Sequence, residues 1–95
     1  MRLPTHICFR LEIYGRVQGF WYRAWTMCEA DARGLEGWVR NRREYWVEAV
    51  FSGTESAVNG MNRICRSGLP GADVIGIKLL PAEVQEAGFT VLPAV

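Results

Sequence analysis

The chain holds little with which to build a metal centre or a covalent scaffold. Its 95 residues include three cysteines and one histidine. Cys8, Cys28 and Cys65 are scattered, odd in number and without Cys-x-x-Cys spacing, which argues against a disulfide framework and against a zinc site. His6 stands alone, so no histidine cluster is available to hold a metal, and all four residues read as structural or surface groups. No apolar run approaches the roughly 20 residues that span a bilayer, so neither a transmembrane helix nor a membrane partner is expected. The opening Met1-Arg2-Leu3-Pro4-Thr5-His6 shows no apolar signal-peptide core, and a cytoplasmic location is the expectation. A formal net charge of +1 supplies no broad basic field, so no nucleic-acid partner is expected either.

What is present is ordinary for a small soluble domain: 49% apolar and 22% charged residues, without internal repeats, low-complexity tracts or linker-like stretches. Residues 1–95 read as one domain, long enough to bury a core unaided. Ile7 to Tyr14 alternates with period two and predicts a half-buried strand. From about Tyr22 to Arg33 the chain lacks Gly and Pro and is rich in Ala, Met and Glu, which favours a helix stopped by Gly34 in a left-handed cap. Leu35 to Asn41 and Tyr45 to Ser52 read as two strands joined by a tight turn at Arg42-Arg43-Glu44. Gly53 and Thr54 are expected to open a second helix, in which Ala57, Met61, Ile64 and Cys65 recur at helical spacing and which Gly68-Leu69-Pro70-Gly71 ends. Asp73 to Leu80 predicts a fourth strand and Phe89 to Leu92 a short fifth. The order matches an α+β, ferredoxin-like βαββαβ sandwich, an antiparallel sheet with two helices on one face. Such sandwiches host many unrelated functions, so function has to be read from a site.

The most pointed candidate is Gly15-Arg16-Val17-Gln18-Gly19-Phe20-Trp21-Tyr22-Arg23, between the first strand and the first helix. Glycines allow positive φ and let successive N–H groups converge on one point, a nest for an anion. The opening turn of a helix adds unpaired N–H groups and the positive end of its dipole. The guanidinium of Arg23 offers a forked pair of donors suited to phosphate or carboxylate. A glycine pair between strand and helix also serves as a plain turn with close packing, so the loop alone does not decide. Ten of the eleven basic residues are arginine, and Arg16, Arg23, Arg40, Arg42 and Arg43 fall in this loop or in the segment Gly37-Trp38-Val39-Arg40-Asn41 and its turn. They would give a locally positive mouth that draws in a polyanion, although Arg42 and Arg43 read more simply as a solvated face of the sheet.

The loop lacks a nucleophile. A cysteine phosphatase would need Cys six residues before the loop arginine, where Val17 stands. No Asp-x-Asp strand end suggests an aspartyl-phosphate route, and no carboxylate cluster suggests a magnesium site. Asn41 offers a carbonyl acceptor and an NH₂ donor, able to hold a water without acting as a strong base.

Taken together, Gly15 to Arg23 and Gly37 to Asn41 resemble the signature of the acylphosphatase family, a glycine-bounded Val-Gln-Gly loop ending in arginine followed by a Gly-Trp-Val-x-Asn strand. The separation of Arg23 and Asn41 also matches, and the likeness continues through Gly68-Leu69-Pro70-Gly71-Ala72-Asp73-Val74 and Gly88-Phe89-Thr90-Val91. The resemblance implies the ferredoxin-like fold and hydrolysis of an acyl phosphate to a carboxylate and inorganic phosphate, with no cofactor, metal or covalent intermediate. It implies that Arg23 binds the phosphoryl group with backbone N–H groups of Arg16, Val17, Gln18, Gly19, Phe20, Trp21 and Tyr22, and that Asn41 positions the attacking water. A monomer is expected, taking a small acyl phosphate, with inorganic phosphate as product and competitive inhibitor. Arg23 as a surface helix-start residue and Asn41 as a strand-end turn residue are the plain alternatives. In another class, a non-catalytic module would keep the loop to bind a phosphorylated metabolite or protein; an aromatic RNA-binding sheet lacks both basic charge and an RNP-like segment.

Gln18 is expected to brace the loop on nearby backbone or to face solvent, and Trp38 to pack on the sheet. Two departures stand out. Family members commonly have a small aliphatic residue and Phe where Phe20 and Tyr22 flank Trp21, a change that would reshape the pocket wall. The turn after Asn41 usually ends in Asp-Gly, here Glu44-Tyr45, and loss of that glycine implies another turn type or some strain.

Overall fold

A computed structural model describes residues 6–19, 21–85 and 88–95. The elements run β1 (His6–Arg16), α1 (Tyr22–Ala32), β2 (Glu36–Asn41), β3 (Val47–Thr54), α2 (Glu55–Ser67), β4 (Asp73–Pro81) and β5 (Phe89–Val91). The sheet order is β4-β1-β3-β2-β5. β3 lies at its centre, and Val47 to Gly53 are all buried, whereas β1 alternates around buried Leu11 and Ile13. Both helices pack on the sheet and touch each other. Their core faces follow from spacing: Tyr22, Thr26 and Ala30 on α1, and Val58, Met61 and Cys65 on α2, meet Leu11, Ile13, Val39 and Phe51 from the sheet. This is the ferredoxin-like sandwich expected from the element order.

Three details differ from the expectation. The sheet is mixed, because β5 pairs with β2 in parallel (Gly37↔Phe89, Val39↔Val91) while the other pairings are antiparallel. The cause is the connection after β4. It runs along one end of the sheet, with Ala82 N–H donating to Cys8 O at 3.0 Å and Gln85 N–H to Ser52 Oγ at 3.1 Å, and so delivers β5 against the direction of β4. Secondly, Gly53 and Thr54 finish β3 rather than opening α2. Thr54 keeps an extended backbone (φ −65°, ψ 151°), pairs with His6, and accepts the Ala57 N–H on its side chain as the helix cap.

The third concerns the β2–β3 hairpin, whose β3 begins at Val47 rather than Tyr45. Tyr45 N–H donates to Arg42 O at 3.0 Å and Arg42 N–H to Trp46 O at 2.8 Å, closing a three-residue loop with Tyr45 at φ 71°. A type I turn followed by a left-handed residue has this geometry, and glycine is favoured at that last position. Here an exposed tyrosine occupies it, so the missing glycine appears as local strain.

Candidate functional site

The C-terminal ends of β1, β2 and β5 meet the start of α1 around a pocket of ≈ 460 Å³. Two glycines shape the loop that leads into it, and the second, Gly19, lines it. At Gly15 (φ 129°) a β-carbon would lie 2.1 Å from the Asp73 carbonyl oxygen, so only glycine permits this approach of β1 to β4. Gly19 takes φ 78° with open space where its side chain would be. The chain then enters α1 through Trp21, left-handed at φ 62°, which gives no side-chain cap to the helix, and no acidic residue occupies the first turn. The first N–H groups of a helix lack intrahelical partners and carry the positive end of its dipole, and Tyr22, Arg23 and Ala24 of this first turn line the pocket.

Val17, Gln18, Gly19, Trp21, Tyr22, Arg23 and Asn41 line one pocket, so residues far apart in sequence are brought together. Arg16 is exposed and does not line it, and Phe20 lies outside the described residues. Ala24, Met27 and Val91 also line it and were not read from the sequence. Met27 follows Arg23 by one helical turn, a spacing that could have signalled it. Val91 reaches the site through the parallel β2–β5 pairing, which no local pattern announces.

Asn41 ends β2, half-buried, and its Oδ1 is buried with no hydrogen-bond partner among the described residues. Its backbone is fixed on two sides, by the pairing with Val47 and by Val95 N–H, which donates to Asn41 O at 3.2 Å. Gln18 fixes the loop to the same hairpin: its side-chain amide donates to Arg42 O and Trp46 O, both at 2.8 Å. The bracing expectation for Gln18 is met, and the partners are 24 and 28 residues away.

The arginine-rich mouth is narrower than the sequence suggests. Among the described residues, Arg23 is the arginine that lines the pocket. Arg40 stacks on Trp38, with its guanidinium 5.0 Å from the ring centre, and strand alternation puts both on the helix-free face. Arg42 sits 5.3 Å over Trp46 and pairs with Glu48 at 3.2 Å, while Arg43 is exposed. Glu48 is 6% exposed and stands opposite Glu12 on β1; Arg10 reaches both carboxylates, at 2.5 Å and 2.8 Å, and relieves their repulsion. Tyr14, hydrogen-bonded to Glu12, and then Arg10 hold the Glu12 carboxyl below its ordinary range.

No thiol competes as a nucleophile. Burial pushes the Cys65 thiol up to about 12 and raises Cys8 as well; Cys28 is exposed on α1 and does not line the pocket. Burial also raises the Tyr22 hydroxyl, which donates to Cys65 O at 2.9 Å and is committed to the core. Among the described residues no three His, Cys, Asp or Glu side chains converge as a metal site, and no helix is long and apolar enough to cross a membrane.

Known proteins share this architecture and much of this sequence. The chain is 55% identical over 84 residues to an acylphosphatase of Azorhizobium caulinodans, covering 88% of this chain and 89% of that protein. It is 46% identical over 85 residues to an acylphosphatase of Rhodospirillum rubrum, covering 88% and 93%. The structure of an acylphosphatase from Coxiella burnetii superposes with a TM-score of 0.89 at 25% identity, over 97% of this chain and all of that one. The acylphosphatase family model matches residues 9–91, from within β1 to the end of β5, and so spans both the glycine loop and Asn41. By sequence and by fold alike, this chain belongs to the acylphosphatase family.

Proposed function

We propose that the chain hydrolyses acyl phosphates by direct attack of water on phosphorus, with the pocket at the start of α1 as its active site. The observation that carries this reading is that Arg23 and Asn41, brought together from the start of α1 and the end of β2, line one pocket. Arg23 and the N–H groups of the Gly15–Arg23 loop take the phosphoryl oxygens. The side-chain amide of Asn41 hydrogen-bonds the attacking water and so turns a lone pair toward phosphorus.

Attack forms the water-oxygen–phosphorus bond and breaks the bond from phosphorus to the acyl oxygen. An acyl phosphate dianion and water become a carboxylate and dihydrogen phosphate, so both protons of the water end on phosphate. The carboxylate is a good leaving group and needs little general-acid help. Catalysis then consists of positioning and of stabilising charge on the equatorial oxygens, tasks that a guanidinium and backbone donors perform without a metal. A neutral amide suffices because the water need not be deprotonated before attack.

The test is hydrolysis of benzoyl phosphate by the purified protein, followed by loss of its absorbance, with and without EDTA. Turnover that is unaltered by chelator is expected. Activity that disappears with EDTA and returns with magnesium would replace the metal-independent mechanism.

A further inference from the structure

Four tryptophans occur in the chain, and three have a stacking partner. Trp25 lies 5.2 Å from Tyr22, Trp38 carries Arg40, and Trp46 lies 5.4 Å from Tyr14 with Arg42 above it. Trp21 differs. Among the described residues no ring or cation stacks on its indole, which is 82% exposed although it lines the pocket. Its neighbour Tyr22 is 1% exposed, so the start of α1 sends one aromatic into the core and holds the next outside. The backbone achieves this with a left-handed residue that is not glycine, a conformation that persists only when the surroundings enforce it.

The pocket is also larger and more apolar than a phosphoryl group requires. At ≈ 460 Å³ it falls in the roughly 300–1,000 Å³ range of small-molecule sites. Trp21, Met27 and Val91 leave apolar surface exposed beside Arg23 and Asn41. Met27 stands one helical turn beyond Arg23, so the wall begins at the phosphate clamp and extends away from it.

We infer that Trp21, with Met27 and Val91, forms an apolar wall that receives the acyl group, so that the chain favours acyl phosphates with an aromatic acyl group over acetyl phosphate. The inference rests on the reading of the pocket as an acyl phosphate site. With the phosphoryl group gripped by Arg23, the leaving carboxylate carries its substituent outward, where a small acetyl group leaves the indole in water and a ring covers it. Met27 adds a polarisable thioether that suits an aromatic edge.

The experiment measures kcat and KM for acetyl and benzoyl phosphate in the wild type, Trp21→Ala, Trp21→Phe and Met27→Ala, with inhibition by inorganic phosphate measured alongside. The wild type should show the lower KM for benzoyl phosphate. Trp21→Ala should lose about five- to ten-fold more kcat/KM on benzoyl than on acetyl phosphate, chiefly through KM, on the scale of an aromatic contact. Trp21→Phe should recover most of that difference, and Met27→Ala should shift it in the same direction by less. Equal losses on the two substrates in both alanine variants, or a wild-type KM no lower for benzoyl phosphate, would overturn the wall. Where phosphate inhibition weakens in Trp21→Ala, the loop has been disturbed and Met27→Ala decides. Failure of the wild type to hydrolyse either substrate would sink the parent reading as well, which separates the two failures.

Discussion

The amide of Gln18 holds the carbonyl of Arg42, 2.8 Å away, and thereby ties the loop that enters α1 to the hairpin that follows Asn41. The same Nε2 reaches Trp46 O, so both hydrogens of one NH₂ group are used on the two residues whose backbones close the turn. On the proposed reading Gln18 is a positioning residue: its two hydrogen bonds set the distance between the glycine loop and Asn41.

Gln18→Ala should therefore lower kcat by roughly 10-fold, since small displacements of positioned groups cost rate steeply. Loss of two hydrogen bonds at a half-buried site should also cost about 1–2 kcal/mol of stability. Gln18→Glu, which offers no donor and sets a carboxylate against two carbonyl oxygens, should be the worse of the two. Steady-state kinetics beside denaturant unfolding would check this. A variant that loses stability yet keeps full turnover would show that the clamp supports the fold and not the geometry of the site.

Tyr45 invites the opposite kind of change. It holds φ 71° at the end of the hairpin loop and is 78% exposed, so its side chain contributes little packing. Glycine there removes the left-handed penalty of about 1–2 kcal/mol and adds about 0.5–1 kcal/mol of backbone entropy to be lost on folding. Tyr45→Gly should raise stability by about 0.5–1 kcal/mol, a melting temperature higher by roughly 2–6 °C for a chain of this size. Turnover should be unaffected, because the hairpin already places Asn41. A fall in melting temperature would mean that the tyrosine ring makes contacts worth more than the strain.

Local signals made much of this fold legible. The alternation of Ile7 to Tyr14, the Gly- and Pro-free run into Gly34, and the glycine loop are each read within a few residues. Gly34 takes φ 67°, as its expected capping role requires. Thr54 misled because one residue serves two elements, pairing with His6 as a strand end while capping α2. What could not be read is non-local. Val91 enters the pocket only because the connection after β4 delivers β5 parallel to β2, and Arg42 turns to the helix-free face, where Glu48 meets it across the hairpin. Asn41 was found through its motif, yet its meeting with Val91 and Met27 in one pocket emerges only from the fold.

If the cradle exists before substrate arrives, product should bind it. The loop is braced from within the fold, by glycine backbones at positive φ and by the Gln18 amide on the β2–β3 hairpin, so binding should have little ordering cost. Phosphate that binds the native state alone stabilises it by RT ln(1 + [L]/Kd), about 2.7 kcal/mol at 100 Kd, a rise of roughly 10 °C or more in a domain of this size. Thermal melts in phosphate and in chloride at matched ionic strength measure it. An unchanged melting temperature at concentrations that inhibit turnover would place the inhibitory site elsewhere.

The two proposed roles separate in a pair of variants. Arg23→Ala should damage binding and turnover together, since a guanidinium meets phosphate charge in the ground state and more strongly in the transition state. On the proposed reading Asn41 orients the attacking water, while Arg23 and the loop grip the phosphoryl oxygens that substrate and product share. Replacement of Asn41 by alanine should lower turnover by roughly 100-fold or more, the scale of losing one positioned polar group, while the phosphate inhibition constant moves far less than in Arg23→Ala. Asn41→Asp sharpens the contrast. It keeps an oxygen acceptor for water but brings a negative charge toward the phosphoryl group, so it should weaken phosphate binding where alanine does not. Inhibition constants and kcat for the three variants decide between the roles. Full turnover in Asn41→Ala, or a loss of phosphate affinity there as large as in Arg23→Ala, would remove Asn41 from the task of holding water and leave it as part of the anion clamp.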